Sequence, residues 1–122
     1  LSNPHPRIMV GGTGPNKTLR MVAQYADACN IGDWVGRANM QKALDTLKGH
    51  CEALGRDYDA IEKTALCTVH LSGKDTVESV MGRLADLSSM GFSHAIFNMP
   101  DVYEIAPLET FGKEIIPAAA GL

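Results

Sequence analysis

The fold is decided by residues 7–32, RIMVGGTGPNKTLRMVAQYADACNIG, which read as a strand, a glycine loop, a helix and a second strand. Residues 8–10 form one short apolar run, and residues 28–31, apolar except for Asn30, form another. Between them, apolar residues recur at the helical spacing i, i+3, i+4, i+7, at Leu19, Val22, Ala23 and Ala26. The stretch therefore predicts a βαβ unit, in which a right-handed crossover joins two parallel strands.

The same alternation continues to the end of the chain. Residues 64–71 and 94–98 are further apolar runs and predict a third and a fourth strand. Three more apolar stripes at helical spacing predict three further helices: Met40, Ala43, Leu44, Leu47, Cys51 and Leu54; Val77, Val80, Met81, Leu84 and Leu87; Val102, Ile105, Phe111 and Ile115. The order βαβαβαβα indicates an α/β fold with a parallel sheet.

Helix boundaries are marked by residues with known capping preferences. Asp75 with Glu78, and Asp101 with Glu104, have the spacing of capping boxes and predict helix starts. Gly55 and Gly91 stand where a left-handed residue ends a helix. Pro107 is expected to bend or delay the last helix, because proline has no amide to donate.

Four βα units are half of a TIM (β/α)8 barrel, whereas a doubly wound sheet usually has five strands or more. No linker or composition shift divides the chain, so residues 1–122 predict a single domain, a (βα)4 half-barrel. Half a barrel leaves two open sheet edges and an uncovered apolar face. We therefore expect a homodimer, or pairing with a separate N-terminal half.

Composition excludes several function classes. Hydrophobic residues make up 45% of the chain and the net charge is −3, with basic residues scattered singly, so we expect no nucleic-acid partner. No apolar run approaches the roughly 20 residues that span a bilayer, so we expect no membrane partner. Cys29, Cys51 and Cys67 have no zinc or redox spacing, and the histidines are dispersed. We therefore predict no metal site, and reduced thiols in a cytoplasmic protein.

The most informative stretch for function is residues 11–18, GGTGPNKT, between the first strand and the first helix. Glycines let a backbone approach a ligand closely, and free amides at a helix N-terminus favour an anion. One interpretation is a phosphate site made by the amides of Gly12, Thr13 and Gly14 with the Thr13 hydroxyl. The other is a tight βα turn that binds nothing.

These eight residues are also one substitution from a Walker A loop, G-x-x-x-x-G-K-S/T. Asn16 stands where that loop requires glycine, and Pro15 removes an amide from it. Nucleotide hydrolysis with a degenerate P-loop is therefore a weaker alternative.

Several segments, in order and over nearly the whole chain, resemble the luciferase-like monooxygenase superfamily. The resemblance is greatest to the branch that uses the deazaflavin coenzyme F420. The segments are PRIMVGGTG at 6–14, TLRMVA at 18–23, YADACN at 25–30, HCE at 50–52, GRD at 55–57, IEKT at 61–64, FNMPDV at 97–102, FG at 111–112 and IIP at 115–117.

The resemblance implies a (β/α)8 oxidoreductase acting on a small-molecule substrate. Such proteins transfer a hydride with coenzyme F420 or use reduced flavin (FMN) with oxygen. It further implies that Gly11, Gly12, Thr13 and Gly14 hold the cofactor phosphate. The chain starts at what resembles the fifth strand, so we expect a C-terminal half-barrel that is inactive alone.

Other polar residues fall near the carboxyl ends of the predicted strands, where barrel active sites are built. Asn30 is a candidate cofactor contact, or alternatively a residue that satisfies the following turn. His70 is a weak candidate acid or base, and a histidine without a catalytic role is the favoured interpretation. Asp33 and Trp34 lie in a loop that either covers a ligand or packs locally. A non-catalytic phosphate-binding or assembly module remains the alternative to an enzyme.

Overall fold

A computed structural model of the chain describes residues 5–122. Its strands are β1 (Met9–Gly11), β2 (Ala28–Gly32), β3 (Glu62–Thr68) and β4 (His94–Asn98). Its helices are α1 (Thr18–Tyr25), α2 (Arg37–Leu54), α3 (Val77–Ser89), α4 (Ile105–Thr110) and α5 (Ile116–Ala119), with a 3₁₀ turn at Asp33–Val35 and a π-helical turn at Phe111–Ile115 joining α4 to α5.

The four strands form one sheet in the order β1-β2-β3-β4, and every neighbouring pair is parallel. A sequential order with right-handed crossovers places all the helices on the same side of a sheet. A doubly wound sheet would instead reverse its order at one point. The predicted fold class is confirmed: the chain is an α/β protein, a (βα)4 unit that is half-barrel-like in its topology.

The two faces of the sheet have different roles. Cys29, Ile31, Ala65 and Cys67 lie on one face and join the main apolar core with side chains of α1 and α2. Alternate residues point the other way, and the strand register places Gly11, Asn30 and Thr64 side by side, with Gly32 beside Leu66. We call this second face the inner face. Within residues 5–122, the apolar core clusters take no side chain from it.

The edge strands are less buried than the central ones. In β2 four of the five residues are buried, whereas β1 and β4 contain no buried residue. Large apolar side chains are exposed beside both edges, among them Met9 and Tyr25 near β1 and Leu108 and Ile116 after β4. Within residues 5–122, no strand pairs with the outer edge of β1 or of β4, as expected of half a barrel.

The connection between β3 and α3 differs from its prediction both where the strand ends and where the helix begins. β3 ends at Thr68, three residues before the predicted end, because the chain turns there: the His70 carbonyl accepts the amides of Gly73 and Asp75. The predicted Asp75–Glu78 capping box is wrong. Thr76 is the N-cap of α3, and it forms a reciprocal capping box with Ser79. Asp75 instead accepts the His70 amide and pairs with Arg83.

The last helix also starts differently. Asp101 and Glu104 form no capping box, and α4 begins at Ile105. Pro107 is accommodated in the first turn, where a helical amide has no partner, so the delay expected from this residue is found. Pro117 cannot donate to the carbonyl one turn earlier, and the helix widens into the π-helical turn Phe111–Ile115 just before it.

The two glycine helix ends are confirmed. Gly55 and Gly91 have φ of 65° and 93°, a left-handed backbone that glycine adopts without a Cβ clash. After α2 the Arg56 amide reaches back to the Cys51 carbonyl, and after α3 the Phe92 amide reaches the Leu87 carbonyl. Both are the six-to-one bond of a Schellman motif.

Replacement of a buried leucine of α2 tests this core. Leu47 is fully buried, so Leu47→Ala should lower the free energy of unfolding by roughly 2–5 kcal/mol through lost burial and a residual cavity. Leu54, on the same helix, is 43% exposed, and Leu54→Ala should cost about 0.5 kcal/mol or less. Urea unfolding measures both, and equal losses would contradict the described packing.

Candidate functional site

The glycine loop leaves β1 through a bond that the sequence does not reveal. The Gly12 amide donates to the Asn30 carbonyl of β2, at 3.0 Å, with Gly12 at φ 118°. This bond extends the pairing of β1 with β2 one residue beyond the strand and then turns the chain. It corrects the expectation that three loop amides are free, because the Gly12 amide already has an acceptor.

Two of the three amides predicted to bind phosphate remain as donors. Within residues 5–122, the amides of Thr13 and Gly14 have no acceptor. They precede α1, whose N-terminal dipole favours negative charge. Contacts from α1 and α2 also hold the loop. The Leu19 amide donates to the Gly14 carbonyl at 3.0 Å, and His50 Nε2 lies 2.7 Å from the Pro15 carbonyl oxygen.

Gly14 stands close against the Thr18 side chain. A Cβ at this position would lie 2.8 Å from Thr18 Oγ1, so even alanine would require that side chain to shift. At Gly12 a Cβ would lie 3.3 Å from Thr18 Cγ2, and its positive φ adds backbone strain to any substitution. The loop is therefore tightly packed against the start of α1.

A cavity of ≈ 300 Å³ opens between the loop and the carboxyl ends of β2 and β3. It brings together four of the five predicted cofactor contacts, Gly11, Gly12, Thr13 and Asn30; Gly14, the residue after Thr13, is not part of its lining. The remaining lining residues are Gly32, Trp34, Val35 and Leu66. Gly11, Asn30, Gly32 and Leu66 all belong to the inner face, so the cavity lies on that face. We call it the loop cavity.

Asn30 is held in place by its neighbour on β3. The Thr64 hydroxyl is fully buried and lies 2.8 Å from the Cys29 carbonyl oxygen and 2.9 Å from Asn30 Oδ1. Asn30 Nδ2 has no partner within residues 5–122. A carboxamide fixed at one end leaves its other end for a ligand in the loop cavity.

Trp34 covers one side of the loop cavity. It lies in the 3₁₀ turn after β2, and its indole rests against Gly32 so closely that a Cβ there would overlap the ring. The side chain is nevertheless 70% exposed. The same turn is tied to the next connection, because Arg83 pairs with Asp33 at 3.4 Å and with Asp75 at 3.3 Å.

His70 lies outside the loop cavity. It follows β3 in a tight turn, where its ring packs against Gly73 and its amide donates to Asp75 at 2.8 Å. Asp101, from the connection after β4, lies beneath this turn: its Oδ2 accepts the Ser72 amide at 2.9 Å. That bond holds the pKa of the Asp101 carboxyl below its ordinary value, with the charge of nearby His70 a smaller cause.

The cysteines are buried and unpaired. Burial raises the pKa of all three thiols, and for Cys67 the value rises to about 12, helped by the adjacent Asp33 carboxylate. None is therefore a nucleophile near neutral pH. Over residues 5–122, no three His, Cys, Asp or Glu side chains converge to hold a metal ion.

A larger cavity of ≈ 640 Å³ lies on the opposite side of the sheet, between α3, β4 and the C-terminal helices. Its lining is mainly apolar and includes Leu84, Phe92, Phe97 and Ile115. It contains none of the predicted site residues, four of which line the loop cavity. In the part of the chain that the structure describes, every helix is too short or too polar to cross a bilayer.

Comparison with known proteins finds similar chains among solved structures. No protein-family model matches the chain, and no similar curated protein was found. Among solved structures, the crystal structure of DmoA from Hyphomicrobium sulfonivorans is similar over 70% of this chain, with 19% identity and a TM-score of 0.46. The chain covers 17% of that protein's length. Likeness at this level carries no information about activity.

Three cavity residues, Gly32, Val35 and Leu66, were not predicted from the sequence. Gly32 and Leu66 had a usable signal: each lies two residues beyond a polar inner-face residue, Asn30 or Thr64, and therefore points the same way. No sequence signal places Val35 at the cavity, because its position depends on the conformation of the 3₁₀ turn.

The thiol environments give a direct test. Because raised pKa values keep the thiols protonated, and burial blocks access, we expect the native chain to react with no iodoacetamide at pH 8. In denaturant all three cysteines should be alkylated, since an exposed thiol has a pKa near 8.5. Mass spectrometry counts the adducts, and native labelling of Cys67 would contradict its described burial.

Proposed function

We propose that this chain is the cofactor-phosphate-binding part of a luciferase-like oxidoreductase. The observation that carries the proposal is the loop cavity, which gathers Gly11, Gly12, Thr13 and Asn30 at the carboxyl ends of β1 and β2. In barrels built from βα units, this is the end where phosphates and substrates bind. The sequence resemblance supplies the reaction class.

The loop has the chemistry that an anion requires. The amides of Thr13 and Gly14 and the Thr13 hydroxyl are the donors, and the α1 N-terminus adds a favourable dipole. Asn30 presents a carboxamide from the opposite wall of the cavity. A phosphate at Thr13 and Gly14 would leave the rest of the molecule to extend along the inner face.

The cofactor we propose is coenzyme F420, with FMN as the alternative. Each combines a planar tricyclic ring with a phosphate, and when bound it supplies the hydride or oxygen chemistry. The residues of the chain bind and orient it. The preference for coenzyme F420 rests on the sequence resemblance, and the geometry of the loop suits either phosphate.

Catalysis requires groups that this four-strand unit does not bring to the loop cavity. His70, the weak candidate acid or base, lies in a separate turn, so we propose no step for it. We expect the chain to bind cofactor without reducing or oxidising a small-molecule substrate. The proposed alternative is a non-catalytic phosphate-binding or assembly module that uses the same glycine loop. Such a module would bind inorganic phosphate as tightly as it binds a flavin phosphate.

Nucleotide hydrolysis is a weaker alternative. The GGTGPNKT loop resembles a P-loop in sequence, but the Gly12 amide is engaged with Asn30. Magnesium-dependent ATP binding would favour this alternative over an oxidoreductase.

We further propose that the uncovered edges pair with a second four-strand unit, either another copy or a separate N-terminal half. Parallel strands can add to both β1 and β4, and eight strands close a barrel. Met21 and Tyr25 beside one edge, and Leu108 and Ile116 beside the other, offer apolar contacts for such closure. The three unpaired thiols support a cytoplasmic location.

Replacement of Gly14 tests the phosphate site. FMN and coenzyme F420 should bind the chain, and Gly14→Ala should weaken FMN binding about tenfold, because a charge-assisted hydrogen bond is displaced. Gly49 in α2 has open space around it, so Gly49→Ala is the matched control and should bind normally. Flavin fluorescence titration measures both, and equal affinities would contradict a phosphate at this loop.

Edge closure is tested by mass in solution. The chain should sediment as a dimer, and Ile116→Glu should shift it to monomer, since a charge would be buried at the new contact. Leu54→Glu places the same charge on an exposed apolar residue of α2, the helix that follows the central strand β2, and should leave the dimer intact. A monomeric wild-type chain would rule out closure by a second copy.

A further inference from the structure

We propose that Trp34 is an aromatic platform on which the planar ring of a bound heterocycle stacks, with Gly32 as the position that makes room for it. The inference rests on the proposed function for the class of ligand, a phosphorylated tricyclic heterocycle. It goes beyond that function by assigning ring recognition to a residue outside the glycine loop. Three observations carry it.

The first is the fit between Trp34 and Gly32. Any side chain at position 32 would overlap the indole, so the ring lies against bare backbone. Gly32 is the last residue of β2 and faces the inner side of the sheet beside Leu66. The indole is therefore seated over the inner face, at the end of the sheet where the glycine loop also lies.

The second is the exposure of the ring. A tryptophan that serves packing alone buries most of its surface, because the indole is a large apolar group. Trp34 is 70% exposed, although it lines the loop cavity. The cavity thus has an aromatic wall with free surface, next to the apolar Val35 and Leu66.

The third is the anchoring of the 3₁₀ turn that carries the ring. Arg83 holds the preceding residue, Asp33, and also donates to the Thr68 carbonyl at 3.0 Å. The backbone of the turn is thus fixed from β3 and α3, while the indole itself is held mainly by contact with Gly32. A fixed backbone with a free aromatic face is what stacking requires, since little ordering entropy remains to be lost.

Different walls of the cavity suit different parts of a ligand. The proposed phosphate donors are at Thr13, which lines the cavity, and at the adjacent Gly14, and Trp34 and the Asn30 carboxamide line the same cavity. A ligand with a ring and a phosphate would use both. A ligand with a ring alone would still contact Trp34.

Trp34 is the single tryptophan of the chain, so its fluorescence reports this position alone. Riboflavin, which has the ring without the phosphate, should quench Trp34 emission saturably. FMN should quench it at concentrations about tenfold lower, because the phosphate adds charge-assisted hydrogen bonds. No saturable quenching by riboflavin would overturn the platform.

Variants at both positions complete the test, with flavin emission as the readout. Trp34→Ala should weaken riboflavin and FMN binding about five- to tenfold, and Trp34→Phe should recover most of the loss, since phenylalanine also stacks. Gly32→Ala should weaken binding by displacing the indole, whereas Gly49→Ala should not. Circular dichroism establishes that each variant is folded.

The two proposals fail differently. If Trp34→Ala binds FMN as tightly as the wild-type chain, the platform is overturned and the phosphate site stands. If riboflavin and FMN bind equally and both depend on Trp34, the platform stands and the phosphate site is overturned.

Discussion

The hydrogen bond from the Gly12 amide to the Asn30 carbonyl is the interaction on which the candidate site depends. It closes β1 against β2 at the point where the chain must leave the sheet, and it needs a residue that accepts φ of 118°. Because this amide is engaged, Thr13 and Gly14 are presented together, one turn before α1. The bond also places the loop above Asn30, so one contact aligns both walls of the loop cavity.

The inner face explains why the cavity is there at all. Helices cover the opposite face, where Ile31 and Ala65 enter the core, whereas small and polar residues occupy the inner face at Asn30 and Thr64. Gly11 and Gly32 lack side chains altogether, which leaves space for the loop cavity beside Gly11 and for the Trp34 indole over Gly32. The same uncovered face and edges are a cost to stability, since apolar residues such as Tyr25 and Ile116 stay in water.

Much of the fold could be predicted, because apolar periodicity and glycine placement are local signals. Gly55 and Gly91 ended their helices as predicted, since a left-handed residue is a property of the residue itself. The start of α3 was not predictable in this way. Asp75 and Thr76 are both good N-caps, but Asp75 is engaged by Arg83, from the second turn of the same helix, and by the His70 amide. The positions of Trp34 and Val35 could not be predicted, because they lie in a 3₁₀ turn and apolar periodicity gives no information about turns.

The architecture assigns different rigidity to the two sides of the loop cavity. The glycine loop is fixed by backbone bonds and by close packing against the Thr18 side chain. On the opposite rim, Arg83 ties the backbone of the 3₁₀ turn through Asp33 and the Thr68 carbonyl, whereas the Trp34 indole is held mainly by its contact with Gly32. The cavity therefore has a rigid backbone wall with free amides on one side and an exposed aromatic ring on the other.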